Sequence, residues 1–101
     1  MVKHIILWKL KENLEDAESV KAEIKKGLEG LQGRIPGMKE IHVITDGRLD
    51  SSNADLMLDS TFEDEASLKG YAVHPDHVAV ADGIVRPNVA TRTCLDYVIG
   101  D

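Results

Sequence analysis

Strands with apolar residues on both faces are the feature that most restricts what this chain can fold into. In residues 2–10, His4, Ile6, Trp8 and Leu10 fall on one side of an extended strand, with Ile5, Leu7 and Lys9 on the other. Residues 89–99 repeat the pattern: Ala90, Arg92, Cys94, Asp96 and Val98 alternate with Val89, Thr91, Thr93, Leu95, Tyr97 and Ile99. A sheet that meets water on one side reads apolar-in and polar-out. Here Ile5, Leu7, Leu95, Tyr97 and Ile99 share the side opposite His4 and Asp96, so both sides need cover.

The segments between these strands supply one cover. Residues 14–32 place Leu14, Ala17, Val20, Ile24, Leu28 and Leu31 at helical spacing, with Lys21, Glu23, Lys25, Lys26 and Glu29 largely off that stripe. Gly27 and Gly30 weaken the last turns, and Gly33 and Pro36-Gly37 end them. Residues 38–45 read as a second strand, with Ile41 and Val43 opposite His42 and Ile44. Residues 55–62 read as a third, with Leu56, Leu58, Ser60 and Phe62 opposite Met57, Asp59 and Thr61. The polar loop between them suits an antiparallel hairpin. Glu63-Asp64-Glu65 favours the positive end of a short helix over residues 66–73. Pro75 stops or kinks it and opens a further short helix to about residue 80. Asp82-Gly83 and Pro87-Asn88 are expected to interrupt structure before the last strand.

The order is βαββαβ. It predicts a single α+β domain over residues 1–101, ferredoxin-like, with a four-stranded antiparallel sheet and helices on one face. A second copy is the simplest cover for the other face, since symmetric dimers are the commonest oligomers. The expected partner is therefore the chain itself, through the sheet face opposite the helices.

Charge and composition exclude other classes. Twelve Lys and Arg against eighteen Asp and Glu give a net charge of −6, which disfavours nucleic acid and anionic membrane surfaces. No segment approaches the roughly 18 apolar residues of a membrane span. The early apolar run, Ile5 to Trp8, is too short for a secretory signal. Cys94 is the only cysteine, which rules out an internal disulfide and a thiolate cluster within one chain. A reducing cytoplasm is the expected location.

Titratable groups gather in Tyr71-Ala72-Val73-His74-Pro75-Asp76-His77-Val78, beside a helix break. Imidazole titrates near neutrality and suits acid–base work. A phenol hydroxyl can hold a developing oxyanion, and Asp96 can orient an imidazole. The bland reading gives Tyr71 a core ring, His74 a capping role and His77 an ordinary helical position. His74 and His77 are spaced as helical metal ligands, but Pro75 interrupts that helix and no third ligand is in place, so no metal site is expected. No cofactor motif is present: there is no phosphate-binding glycine loop and no nucleophile elbow. Cys94 reads as a packed small hydrophobe.

Four segments together resemble the stress-responsive α/β-barrel (Dabb) family: His4-Ile5-Ile6-Leu7-Trp8-Lys9-Leu10-Lys11, Ile35-Pro36-Gly37-Met38, Ser60-Thr61-Phe62-Glu63-Asp64 and Tyr71-Ala72-Val73-His74-Pro75-Asp76-His77. The resemblance implies a ferredoxin-like subunit, a dimeric α/β barrel made by two sheets, and a small-molecule cavity between sheet and helices. His4, Ile6, Trp8, Leu58, Ser60 and His74 are implied to line it, for a small apolar or aromatic ligand. A plant polyketide cyclase of this family implies catalytic roles for Tyr71 and His77, with Asp96 orienting the histidine. His77 would then act as general base at an acidic carbon and Tyr71 would stabilise the enolate. Leu56, Asp76 and Val80 depart from that cyclase. Two functions are thus implied: a binding dimer without catalysis, or a small-molecule enzyme resembling the cyclase or a cofactor-independent monooxygenase.

Overall fold

The structure, a computed structural model, describes residues 1–100. Strand β1 (Val2–Leu10) is followed by helix α1 (Ala17–Glu29), strands β2 (Met38–Ile44) and β3 (Leu56–Phe62), helices α2 (Glu65–Val73) and α3 (Pro75–Val80), and strand β4 (Val89–Val98). The strands form one sheet in the order β2-β3-β1-β4, with every neighbouring pair antiparallel. This is the ferredoxin-like arrangement expected from the element order.

The side-chain parity expected for β1 and β3 is the parity observed. Val2, His4, Ile6, Trp8 and Leu10 are buried, as are Leu56, Leu58, Ser60 and Phe62. Ile6, Trp8, Leu10, Leu56, Leu58 and Phe62 join Ile24 and Leu28 of α1 and Tyr71 of α2 in one core between the sheet and the helices. Strand β4 lies at the sheet edge and stays exposed beyond its first residue, because the helices lean over the other strands.

Helix α1 is shorter than its apolar stripe. The Asp16 side chain accepts from the Ser19 amide at 3.0 Å and starts the helix two residues after Leu14. Gly30 closes it, so Leu31 is buried from a turn rather than a helix. Gly27 has a packing role as well as a propensity cost. A Cβ there would stand 3.0 Å from a Val80 methyl and 3.3 Å from Ile84, so glycine lets α1 approach the α3 region closely. The other sheet edge is protected by α1: the Val43 amide donates to Glu29 at 2.9 Å, and Lys25 donates to the Val43 carbonyl at 2.7 Å. Edge groups satisfied by side chains are not available for pairing with another strand.

One expectation fails after α3. Asp82-Gly83 does not interrupt the chain; Ala81–Val85 continues as a π-helical turn and Arg86–Asn88 as a last helical turn, α4. Pro87 fits there because the first turn of a helix needs no proline N–H. Ala81 and Val85 are buried by this continuation.

The face opposite the helices is mixed rather than uniformly apolar. Leu7, Ile44, Leu95 and Tyr97 are exposed on it, between 40% and 62% accessible. Beside them lies a polar cluster. Lys3 pairs with Asp59 at 2.7 Å and Glu40 at 3.5 Å, and Thr61 donates to Glu40 at 3.0 Å. Among the described residues no helix is long and apolar enough to cross a membrane.

Candidate functional site

The uncovered β4 edge leaves a cleft of about 860 Å³ between β1, β4 and the helices. Its floor is Ile6, Trp8 and Leu58, and its walls carry His4, Tyr71, His77 and Asp96. Apolar surroundings with a few convergent polar groups are typical of small-molecule sites.

Helix α2 places Tyr71 deep in this wall. Asp64 caps the helix by accepting from the Ser67 amide at 2.8 Å. Tyr71 then falls on the core side, 2% exposed, with its ring centroid 5.1 Å from Phe62 and 6.0 Å from His4. Its hydroxyl is buried without a hydrogen-bond partner. Burial holds the phenol well above its usual range, against a smaller opposing pull from Arg92.

Pro75 begins α3 and carries His77 back over Tyr71. The two rings stack with centroids 4.0 Å apart and planes 35° from parallel. His77 Nδ1 is buried without a partner. Burial lowers the His77 pKa below the usual 6.5; the Ala72 backbone opposes this, while His4, Arg86 and Arg92 add to it through their charge. The shift favours the neutral imidazole, the form that can accept a proton.

Asp96 meets a different histidine from the one the family resemblance implied. The antiparallel register sets His4 opposite Asp96, and His4 Nδ1 bonds the Asp96 carboxylate. Cys94, two residues earlier on the same face, lies with its sulfur 3.4 Å from Asp96 Oδ1 and 3.8 Å from His4 Nδ1.

Of the expected site residues, Tyr71, His77, Asp96, His4, Ile6, Trp8 and Leu58 all border the cleft. Ser60 and His74 do not. The Ser60 hydroxyl is fully buried and donates to the His4 carbonyl at 2.9 Å, tying β3 to β1. His74 caps α3 by accepting from the Asp76 amide at 3.1 Å. Arg92 and Arg86 also line the cleft and were not singled out from sequence. Parity offered a signal for Arg92, which shares a strand face with Asp96. Arg86 gave none, because its placement depends on the π-helical turn.

The profile of the stress responsive A/B barrel domain (Dabb) family matches residues 2–99. The chain belongs to this family. A dimeric protein of unknown function and ferredoxin-like fold from Bacteroides fragilis is 31% identical, with 97% of this chain and 95% of that one covered and a TM-score of 0.86. The protein At3g17210 from Arabidopsis thaliana is 26% identical, covering 100% of this chain and 97% of that one, with a TM-score of 0.81. A hydroxynitrile lyase from Passiflora edulis is 23% identical over 99% of this chain and 94% of its own, with a TM-score of 0.81; that likeness is one of fold. No curated protein sequence matches the chain significantly. As a Dabb domain, the chain carries Tyr71, Ala72 and His77 on the wall of the cleft.

Proposed function

We propose that this Dabb domain is a homodimer that binds a small apolar or aromatic molecule in the cleft between β1, β4 and the helices. The cleft itself carries the reading: about 860 Å³ is ample for a small aromatic molecule, and its floor is apolar. Self-association through the outer sheet face is supported by the exposed Leu7, Ile44, Leu95 and Tyr97 and by the dimeric Bacteroides relative. A cytoplasmic location suits the single free thiol.

The chain's only tryptophan, Trp8, lies on the cleft floor, so its indole N–H signal reports on occupancy. The test is an NMR titration with a series of neutral phenols and aryl ketones. Saturable shifts at the Trp8 indole and at Tyr71 and His77 are expected. Shifts confined to the outer sheet face, or none, overturn the reading.

One observation favours a catalytic second reading. The Tyr71 hydroxyl and His77 Nδ1 are both buried, both without partners, and stand on adjoining rings at the cleft wall. A neutral imidazole beside a phenol is equipped to take a proton from an acidic carbon and hold the enolate oxygen. This supports cyclase-like lyase chemistry more directly than a monooxygenase-like activity. Hydrogen–deuterium exchange at the methyl group of acetophenone tests it. The native protein should accelerate exchange, and His77→Ala and Tyr71→Phe should abolish the acceleration. Exchange no faster than in buffer, or undiminished in both variants, sinks the catalytic reading.

A further inference from the structure

We propose that His4, Cys94 and Asp96 form a binding site for a borderline divalent transition ion, with Zn²⁺ as the representative case. Cys94 and Asp96 are two residues apart on β4 and so project from the same face. The β1–β4 register brings His4 opposite Asp96. The three ligand atoms, His4 Nδ1, Cys94 Sγ and an Asp96 carboxylate oxygen, lie within 4.8 Å of one another.

The spacing fits an ion of this kind. With metal–sulfur bonds near 2.3 Å and metal–nitrogen or metal–oxygen bonds near 2.0–2.1 Å, tetrahedral geometry puts a sulfur about 3.5 Å from its neighbouring ligands. The two sulfur separations here are 3.8 Å and 3.4 Å. The third edge is closed by the His4–Asp96 hydrogen bond and opens when an ion replaces the shared proton.

The donor set also discriminates. One imidazole, one thiolate and one carboxylate suit Zn²⁺ far better than Mg²⁺ or Ca²⁺, which favour oxygen donors. Three protein ligands leave one tetrahedral position, and two of them, His4 and Asp96, line the cleft. The site stands on this cluster alone and holds whether or not the cleft is catalytic. Sequence spacing missed it because its ligands sit on the first and last strands and reach each other only through strand pairing.

The test is titration of the full chain with Co²⁺, followed by competition with Zn²⁺. One Co²⁺ per chain and a thiolate-to-cobalt charge-transfer band are expected, with Zn²⁺ displacing both. Cys94 and Asp96 are exposed, so Cys94→Ala and Asp96→Asn should fold; circular dichroism checks this. Cys94→Ala should lose the band, and each variant should bind Zn²⁺ roughly tenfold or more weakly. His42→Ala, on the outer sheet face, should change neither. Absence of the band, its survival in Cys94→Ala, or unchanged Zn²⁺ affinity in both ligand variants overturns the proposal.

Discussion

The His77 ring lies against the Tyr71 ring with centroids 4.0 Å apart, and each residue buries a polar atom that makes no hydrogen bond. Tyr71 comes from the end of one helix and His77 from the start of the next, with Pro75 setting the turn between them. Leaving a buried polar group unpaired costs about 1–3 kcal/mol.

Tyr71→Phe separates shape from chemistry. The substitution keeps the ring and removes the unpaired hydroxyl, so stability should be unchanged or rise by about 1 kcal/mol in urea unfolding. Tyr71→Ala should instead cost about 3–5 kcal/mol, because it empties the space between Phe62, His4 and His77. If Tyr71→Phe lost about 2 kcal/mol or more, the hydroxyl would have a partner in the folded protein.

His77 gives stability a pH dependence of known sign. Its folded pKa lies below the unfolded value of 6.5, chiefly through burial. Between the two values the unfolded chain binds the proton more tightly. Its contribution is therefore full above pH 6.5 and declines as pH falls toward the folded pKa. His77→Asn should flatten the stability profile in that window. The lowered carboxylates Glu29, Glu40 and Asp64 act at more acid pH, below their ordinary 4.5 and 3.8. An unchanged slope just below pH 6.5 in His77→Asn would assign the effect to another group.

Much of this was legible before the fold was known, and the reason is physical. Strand parity survives errors of a residue at strand ends, so the helix-facing set of β1 and β3 could be read from alternation alone. Parity also put Asp96 and His4 on the helix side. It could not say which histidine Asp96 meets, because cross-strand register is set by the whole chain path. The π-helical turn at Ala81–Val85 was hidden by Asp82-Gly83, whose local preference for a turn gives way to burial of Ala81 and Val85. Ser60 and His74 were placed in the cleft by resemblance, but their side chains are committed to the His4 carbonyl and the Asp76 amide.

Gly37 is expected to be the least replaceable glycine. It adopts φ +78° in the turn before β2, and a Cβ there would stand 2.0 Å from the Ser67 hydroxyl oxygen. Gly37→Ala combines backbone strain with a clash against α2 and should lower stability by at least about 1–3 kcal/mol. Thermal denaturation checks it; a loss within about 0.5 kcal/mol would mean that the turn rearranges freely.

The outer sheet face makes its own prediction. Leu95 is 62% exposed there, next to half-buried Ile5. In the proposed homodimer, Leu95→Asp sets a charge against the partner and should give monomers by sedimentation velocity, with the far-ultraviolet circular dichroism retained. A dimer of undiminished strength in that variant would move the interface elsewhere.

The most direct test of the cleft as a ligand site is a crystal structure of the protein soaked with acetophenone. The expected result is density between Trp8 and the Tyr71–His77 pair, with the ketone oxygen within hydrogen-bonding distance of the Tyr71 hydroxyl or the His77 ring. An empty cleft at saturating acetophenone, or a ketone bound only on the outer sheet face, would contradict it.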